Sequence, residues 1–168
     1  IYGKSKLSGE KYLKKYCKNF VILRVSWLYS LNSKNFLNYI LSNLNNLNFK
    51  MIDNALSSPT SCNNLINVIF IIILKKNNLF KKQMIFNICD NGNSVSPFKF
   101  TEYILSQLKK LNVNVPKLIK TDFYEYNKDI EKPQYLSLNN SKIKKYISYQ
   151  PKNWKTEIKN LLKIKYKK

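Results

Sequence analysis

Short apolar runs typical of buried strands alternate along this chain with longer amphipathic segments typical of helices. A helix is predicted from residue 3 to about 15, and the apolar run Phe20–Val25 after it is predicted as a buried strand. A helix at about 33–47 and a short strand at 49–52 repeat this order. Because strands that alternate with helices indicate a layered arrangement, the chain is predicted to fold as α/β.

The second half of the chain continues the pattern without a repeat or a low-complexity linker. The apolar run at 65–74 is rich in β-branched residues, which favours a strand, while its length and polar flanks favour a helix. A strand at 84–89 and a turn at 90–93 are followed by a helix that begins at Ser96 and Pro97, since serine caps helices and proline fits their first position. The last helix is predicted from Trp154 to about 165. All 168 residues therefore form one predicted α/β unit.

Composition first suggests a partner of opposite charge. The 30 basic and 9 acidic residues give a formal charge of +21, with no histidine, which is typical of proteins that bind nucleic acid. Arg24 is the single arginine, however, and the lysines are scattered, whereas phosphate contacts enrich arginine and cluster it on one face. The abundant Lys, Asn, Ile, Tyr and Phe are residues of A/T-rich codons. We therefore predict no nucleic-acid partner.

Cysteines and hydrophobic runs exclude further classes. Three widely spaced cysteines without histidine indicate neither a disulfide framework nor a zinc site, and they are compatible with a reducing cytosol. The most apolar run has ten residues, roughly half of the ~20 that a membrane span requires. No signal peptide is recognised at the start of the chain. The chain is therefore predicted to be cytoplasmic, with no membrane partner and no protein-bound metal.

The pair Tyr2 and Lys6 is the clearest candidate for chemistry. Positions i and i+4 of a helix share one face, so the Lys6 ammonium can lie near the Tyr2 phenol and stabilise its ionised form. Such a pair can donate a proton to a reacting oxygen. The alternative is an aromatic residue and a solvated lysine on a helix surface, and the spacing alone does not exclude it.

The residues around this pair resemble a known family. Tyr2-Gly3-Lys4-Ser5-Lys6-Leu7-Ser8-Gly9-Glu10 is similar to the Tyr-Gly-x-Thr/Ser-Lys-Leu-x-Gly-Glu segment of the dTDP-4-dehydrorhamnose reductase family, in the extended branch of the short-chain dehydrogenases/reductases. Further segments match in the same order: Leu23-Arg24-Val25-Ser26-Trp27-Leu28-Tyr29, Asn35-Phe36, Ile52-Asp53-Asn54 with Ser58-Pro59-Thr60, Phe86-Asn87-Ile88, Lys132-Pro133 and Trp154. The resemblance covers nearly the whole chain, and it favours a helix at 65–74.

The resemblance implies a reduction with NADPH, with NADH as an alternative. Tyr2 would donate a proton to the C4 oxygen of dTDP-4-dehydrorhamnose, Lys6 would assist it and hold the nicotinamide ribose, and the product would be dTDP-L-rhamnose for cell-surface polysaccharide such as lipopolysaccharide. The resemblance also implies a homodimer and a use of magnesium in some members. Cofactor contacts are expected from Tyr2, Lys6, Arg24 and Ser26, and contacts to the nucleotide sugar from Trp27, Asn35, Pro59, Thr60 and Lys132.

Each of these assignments has an alternative. Arg24 could anchor a loop, Asn35 could be a polar helix residue, and Trp27 could belong to the core. Thr60 is also a plausible N-cap of the next helix, and Lys132 could face water. Four positions depart from the family pattern and bear on substrate contacts: Ala55 for Gln, Ser57 for Gly, Lys132 for Arg and Leu136 for Ser.

The family's glycine-rich dinucleotide turn has no counterpart here, because the only glycines are Gly3, Gly9 and Gly92. The chain is thus interpreted as the C-terminal part of a Rossmann-like NAD(P)-binding fold plus the small substrate-binding subdomain, from a fragmentary, split or decayed gene. Residues of about 1–55 and 61–90 would belong to the Rossmann side, and about 54–60 and 91–168 to the substrate side. The missing N-terminal half becomes the expected partner. Another nucleotide-sugar reductase or epimerase, or a non-catalytic remnant, stays open.

Overall fold

The computed structural model describes residues 1–74, 83–126 and 133–166. Within these ranges, seven helices alternate with eight strands. Their bounds in chain order are α1 Tyr2–Tyr16, β1 Phe20–Val25, β2 Leu28–Tyr29, α2 Phe36–Ser42, β3 Asn48–Ile52, β4 Leu56–Ser57, β5 Thr60–Ser61, α3 Cys62–Leu74, β6 Gln83–Ile88, α4 Pro97–Lys109, β7 Lys117–Thr121, α5 Phe123–Tyr126, β8 Tyr135–Leu136, α6 Ser141–Ile147 and α7 Trp154–Tyr166.

The strands pair in parallel, which confirms the predicted α/β class. β1 pairs with β6 over six residues, from Phe20 opposite Gln83 to Val25 opposite Ile88, and β3 pairs with β7 over five. Two shorter parallel pairs join β2 to β5 and β4 to β8. Parallel neighbours need a crossover, which the intervening helices supply. The carboxyl ends of β1 and β6 consequently lie at the same edge, where the chain turns into the loops at 26–27 and 89–92.

Two clusters of buried side chains form the core. One lies between β1, β6, α3 and α6 and contains Val68, Ile72, Met84, Phe86, Ile88, Ile143 and Ile147. The larger one lies between β3, α2, α4 and α7, and includes Phe49, Phe100, Leu108, Trp154 and Ile158. Helix α1 contributes no buried residue to either cluster. Trp27 is partly buried and packs against the larger cluster.

Several predicted elements agree with the structure. The strand Phe20–Val25 has the predicted bounds, and the helices at the start, after Ser96 and at the end begin within a residue of the predicted positions. The apolar run at 65–74 is helical, as the resemblance favoured over the β-branched composition. Helical hydrogen bonding there lets Val68 and Ile72, one turn apart, pack on β6.

Two predictions about helix ends are wrong. The helix predicted at about 33–47 spans only Phe36–Ser42, because Asn35 caps its start and an asparagine-rich turn follows its end. Thr60 does not cap α3. The cap is Ser61, whose hydroxyl accepts a hydrogen bond of 3.0 Å from the Asn64 amide.

The sequence did not indicate β7 or α6. β7 has only partly buried apolar positions, and its pairing with β3 defines it as a strand. In the part of the chain that the structure describes, no helix has the length and apolarity of a membrane span.

Candidate active site

The turn after β1 has an unusual backbone at Trp27. Its φ of 40° lies in the left-handed region, which a bulky side chain rarely adopts. The indole is half-buried and packs against Phe36, with ring centroids 5.2 Å apart, and against Phe100 at 6.1 Å. The aromatic neighbours belong to α2 and α4, so two helices hold one side of a residue at the carboxyl edge of the parallel strands. Ligands of α/β folds bind at this edge.

Thr60 lies directly behind this turn. Its amide donates to the Trp27 carbonyl at 3.1 Å, and its hydroxyl lies 2.6 Å from the Ser26 carbonyl and 3.2 Å from the Ile88 carbonyl. The side chain has 0% exposure. Pro59 is also buried, and its carbonyl accepts from the Asp90 amide at 2.9 Å. Thr60 therefore joins the ends of β1 and β6 through its hydroxyl, and Pro59 binds the residue after Cys89 through its carbonyl.

Ser26 faces a residue at which this chain departs from the family that its sequence resembles. The hydroxyls of Ser26 and Ser57 are hydrogen-bonded at 2.8 Å, and Ser57 stands where the family usually has glycine. Ser57 is buried in β4, and its backbone pairs with Val95. Ser26 was predicted to contact the cofactor, so the added hydroxyl of Ser57 supplies it with a protein partner that glycine would not.

Asn35 organises the loop that leads into α2. Its side-chain oxygen accepts from the Asn38 amide at 3.2 Å, as an N-cap does. Its side-chain nitrogen donates to the carbonyls of Ser30 at 3.0 Å and Asn32 at 3.1 Å. These bonds place Phe36, the next residue, against the Trp27 indole.

Tyr2 and Lys6 share one face of α1, as their spacing predicts. The Lys6 Nζ lies 5.4 Å from the centroid of the Tyr2 ring, within the range of a cation–π contact. Tyr2 is 77% exposed. Among the described residues, no hydrogen bond or ring contact joins Tyr2 to Trp27. The phenol and the ammonium thus stand together on an open surface, available to a group that approaches from solvent.

Arg24 forms an ion pair with Glu10 of α1. Its Nε and Nη2 donate to the two carboxylate oxygens at 2.7 and 2.6 Å, the two-pronged geometry that guanidinium favours. The hydrogen bonds from Arg24 hold the pKa of Glu10 below its ordinary value, and those to Glu10 raise the pKa of Arg24. Arg24 was predicted to contact the cofactor, with loop anchoring as the alternative; here it ties α1 to β1.

A buried polar network beside the turn was not singled out from the sequence. Asp90, at the end of β6, accepts from the Tyr29 hydroxyl at 2.5 Å, from the Ser61 amide at 2.9 Å and from the Asn64 side chain at 2.7 Å. Burial raises the pKa of Asp90, against the opposing effect of these hydrogen bonds. The position of an aspartate directly after an apolar strand was the available signal.

Glu157 extends the network to α7. Its carboxylate accepts from the hydroxyl of Ser61 and from the side chain of Asn63, both at 3.2 Å, and forms an ion pair of 3.6 Å with Lys152. Glu157 is 1% exposed, so these donors compensate a charge that is removed from water. The network therefore links the start of α3 to the C-terminal helix.

Two surface cavities adjoin the loop after β6. One of about 620 Å³ lies between the first turns of α4 and α7, where Lys155 Nζ stands over the rings of Trp154 and Tyr103 at 5.5 and 5.6 Å. The other, of about 320 Å³, is lined by residues that include Asp90, Gly92 and Lys144. None of the site residues predicted from the sequence and described by the structure lines either cavity.

The predicted site residues fall into two groups in the structure. Ser26, Trp27, Pro59 and Thr60 lie together at the carboxyl ends of β1 and β6, with Asn35 beside them. Tyr2, Lys6 and Arg24 lie on α1 or face it. Lys132 lies outside the described residues. Within the described ranges, no group of three or more acidic, cysteine or histidine residues is arranged to hold a metal ion.

Comparisons with known proteins agree on one family. The sequence model described as the RmlD substrate binding domain matches residues 1–166. A dTDP-4-dehydrorhamnose reductase of Sinorhizobium fredii is 24% identical over 165 residues, which is 96% of this chain and 55% of that protein. One of Escherichia coli is 47% identical over 36 residues, or 21% of this chain and 12% of that protein.

Solved structures share the fold. A dTDP-4-dehydrorhamnose reductase of Clostridium acetobutylicum has a TM-score of 0.81 at 23% identity, covering 97% of this chain and 55% of its own. That of Bacillus anthracis, solved in complex with NADP, has a TM-score of 0.80 at 21% identity, covering 96% and 54%. A UDP-N-acetylglucosamine 4-epimerase of Bacillus cereus has a TM-score of 0.69 at 18% identity, covering 95% and 52%. The chain therefore spans about half the length of the relatives that it matches.

Proposed function

This chain belongs to the family of RmlD substrate-binding domains, and on that premise we propose that it is the C-terminal half of a dTDP-4-dehydrorhamnose reductase. The whole protein would reduce the C4 carbonyl of dTDP-4-dehydro-6-deoxy-L-mannose and form dTDP-L-rhamnose. The observation that carries this proposal is the Tyr2–Lys6 pair, with the Lys6 Nζ 5.4 Å from the Tyr2 ring on an exposed helix. Both residues lie in the segment that resembles the family's catalytic motif.

Tyr2 is the proposed proton donor. Reduction of a carbonyl leaves negative charge on its oxygen, and a phenol within hydrogen-bond reach supplies the proton that neutralises it. The Lys6 ammonium lies on the same face, 5.4 Å from the Tyr2 ring, where its positive charge attracts the negative charge that remains after transfer. Their exposure leaves both groups accessible to a substrate between this chain and a second half.

The chain has residues suited to the nicotinamide end of the cofactor, but it has no glycine-rich turn for the pyrophosphate. NADPH, when bound, is the source of the two electrons for the reduction. Tyr2 and Lys6 offer a hydroxyl and an ammonium that suit the nicotinamide ribose, and their exposure leaves room for it. The pyrophosphate needs a glycine-rich turn at a helix N-terminus, which three scattered glycines do not provide. A solved relative of similar fold contains NADP, which favours NADPH over NADH.

The sugar side would be formed by the turn after β1. The half-buried indole of Trp27 presents an apolar surface at the carboxyl edge of the strands, where a sugar ring can stack. Asn35, Pro59 and Thr60 shape the wall behind it. Lys132 remains a proposed contact to the diphosphate, because a lysine can pair with phosphate as a point charge.

A second half would cover surfaces that this chain leaves open. Helix α1 exposes a set of large apolar residues, and so does α3; these are Tyr2, Leu7, Tyr12, Leu13 and Tyr16 in α1, with Ile1 just before it, and Ile66, Ile69, Phe70, Ile73 and Leu74 in α3. Clustered apolar exposure marks an interaction surface. β1 pairs with β6 alone among the described strands, which leaves it an edge for a further strand. A nucleotide-binding half with parallel strands and helices would cover the exposed apolar residues and pair with the free edge of β1.

The test uses this chain joined to a nucleotide-binding half. The part of the Sinorhizobium fredii relative that this chain does not match can be supplied by fusion or in trans. The complex is expected to bind NADPH and reduce the 4-keto sugar. Tyr2→Phe should keep sugar binding and lose roughly 10²–10⁴-fold in turnover, the usual contribution of a positioned acid. Tyr124→Phe, which changes an exposed phenol on α5, is the control and should leave turnover unchanged.

An active complex in which Tyr2→Phe turns over normally would overturn the assignment of Tyr2. A complex that binds NADPH but reduces no 4-keto sugar would overturn the proposed substrate.

A related enzyme acting on another nucleotide sugar is the second candidate. Ala55, Ser57 and Leu136 depart from the family pattern, and folds of similar shape occur in a UDP-N-acetylglucosamine 4-epimerase. A panel of nucleotide sugars on the same complex separates the two. A non-catalytic remnant would bind no NADPH after the nucleotide-binding half is added.

A further inference from the structure

The left-handed turn at Trp27 is hydrogen-bonded to Thr60. A left-handed φ at a bulky residue persists only where the surroundings enforce it, and such residues cluster at binding sites. Three hydrogen-bond contacts to this region come from Thr60. The amide of Thr60 binds the Trp27 carbonyl at 3.1 Å, while the hydroxyl lies 2.6 Å from the Ser26 carbonyl and 3.2 Å from the Ile88 carbonyl.

The hydroxyl of Thr60 carries a single proton, and the shorter contact assigns it to the carbonyl of Ser26. That carbonyl belongs to the peptide bond that leads into Trp27, so the hydrogen bond restrains the rotation that sets φ of Trp27. The Ile88 carbonyl, at the end of β6, faces the same hydroxyl. Thr60 therefore holds the turn in place relative to the end of β6.

Two rings complete the restraint from the other side. Phe36 and Phe100 contact the indole, with centroids at 5.2 and 6.1 Å. The backbone of the turn is thus held by Thr60, and one side of the indole is held by aromatic contacts. Thr60 itself has 0% exposure, so a ligand at the turn meets the indole and not the hydroxyl.

We propose that Thr60 is a positioning residue, which orients the Trp27 indole for the nucleotide sugar without touching it. The identity of the ligand rests on the proposed function, while the restraint on Trp27 does not. Thr60 was predicted from the resemblance as a substrate contact, and this proposal replaces contact with action through Trp27.

The first experiment observes the indole directly. The 168-residue chain is labelled with 5-fluorotryptophan, and its two ¹⁹F resonances, from Trp27 and Trp154, are assigned with Trp27→Phe. Three variants separate the hydroxyl from the methyl group of Thr60: Ser keeps the hydroxyl, Val keeps the methyl group, and Ala has neither. We expect Val and Ala to shift and broaden the Trp27 resonance, with Ser close to the parent and Trp154 constant in all three.

The variants also distinguish a local effect at Trp27 from a loss of the fold. Ser and Ala are both smaller than Thr and differ from each other only in the hydroxyl, so they remain comparable if Val does not fit. Thermal unfolding followed by circular dichroism reports the fold of each. The proposal would be overturned if the Trp27 resonance changed in Ser and Ala, which lack the methyl group, and not in Val. It would also be overturned if the resonance stayed constant in Ala while the melting temperature fell.

The second experiment measures the ligand effect in the complex with a nucleotide-binding half. Thr60→Val is expected to raise the KM for the nucleotide sugar about ten- to hundredfold, with a smaller change in kcat, because a misplaced contact weakens binding. In a Trp27→Ala background the same substitution should add little, since the residue through which Thr60 acts is gone. Equal effects with and without the indole would contradict the proposal. A parent complex that binds NADPH but reduces no 4-keto sugar rejects the proposed function and leaves the ¹⁹F result to decide on Thr60.

Discussion

Tyr29 donates a hydrogen bond of 2.5 Å to the carboxylate of Asp90, and both groups are buried. Tyr29 belongs to β2, directly after the Trp27 turn, and Asp90 follows β6. The bond therefore joins β2 to the loop after β6. Burial, with the adjacent Asp90 carboxylate, raises the pKa of Tyr29, so the phenol stays protonated and remains a donor.

Loss of this donor should weaken the fold. Tyr29→Phe keeps the ring, which packs against Phe100 with centroids 5.7 Å apart, and leaves one oxygen of Asp90 without its partner. We expect a fall of about 1–3 kcal/mol in the free energy of unfolding, the usual effect of an unsatisfied buried acceptor. Urea unfolding of the 168-residue chain measures it. Tyr12→Phe, on the exposed α1, is the control, and an equal effect of both substitutions would contradict the role of the bond.

The buried carboxylate of Asp90 should also make stability depend on pH. Burial raises its pKa in the folded protein above the roughly 3.9 of an unfolded chain. Its favourable contribution is then fully present below the unfolded value and is lost as pH rises through the folded value. Glu157 faces Asp90 and also raises its pKa, while Tyr29, Asn64 and the Ser61 amide oppose the shift.

Urea unfolding of the parent and of Asp90→Asn between pH 4 and pH 7 tests this dependence. The difference in free energy of unfolding, parent minus variant, is expected to decrease as pH rises over that window. Glu102→Gln, at an exposed position, provides the control series. A difference that stays constant or grows with pH would show that Asp90 does not titrate as proposed.

Of the three glycines, Gly92 is the one where an added side chain fits least. Its φ is 110°, and an added Cβ would lie 2.9 Å from Cδ1 of Trp154 and 3.0 Å from Nδ2 of Asn153. Trp154 cannot easily move, because Phe100 and Tyr103 pack against it. Gly92→Ala is expected to lower the free energy of unfolding by roughly 2 kcal/mol or more, from backbone strain and overpacking together.

Gly9→Ala is the matched control for that substitution. Gly9 lies inside α1, and an added Cβ meets no atom within 4 Å. Alanine there should stabilise the helix by about 0.5–1 kcal/mol. Chemical denaturation of both variants gives the comparison, and a neutral Gly92→Ala would refute the close approach of Trp154.

The ion pair between Arg24 and Glu10 should hold α1 against β1. Because hydrogen bonding to Arg24 lowers the pKa of Glu10 in the folded protein, the stabilisation is present above the unfolded value of roughly 4.3 and is lost as pH falls through the folded value. Arg24 is 49% exposed, so the effect on global stability is small, below about 1 kcal/mol.

Amide chemical shifts of α1 measure that contact. In Glu10→Gln they are expected to differ from those of the parent at pH 7 and to approach them in acid, where the parent also loses its carboxylate charge. Glu102→Gln removes an ion pair within α4 and should leave the shifts of α1 unchanged. If Glu10→Gln left the chemical shifts of α1 unchanged, the ion pair would not hold α1 against β1.

Local sequence patterns were sufficient to predict much of this structure. The uninterrupted apolar run of β1, the serine and proline that begin α4, and the i, i+4 spacing of Tyr2 and Lys6 act through neighbours in sequence, and the structure reproduces all three. The α/β class follows from the order of such elements. The ordered match of motifs identified the family, which the comparison over residues 1–166 supports.

Long-range contacts determined the remainder. The left-handed turn at Trp27 is hydrogen-bonded to a threonine more than thirty residues away, the buried carboxylate of Asp90 accepts from donors in β2, β5 and α3, and Arg24 pairs with a residue fourteen positions earlier. Sequence spacing alone does not predict such contacts, because a hydrogen bond depends on where the folded backbone brings its two atoms. The sequence thus determined most of the longer helices and strands, β7 and α6 excepted, and which residue types are available for chemistry. The tertiary structure decided which of those side chains meet, because parallel pairing of β1 with β6 brings their carboxyl ends together.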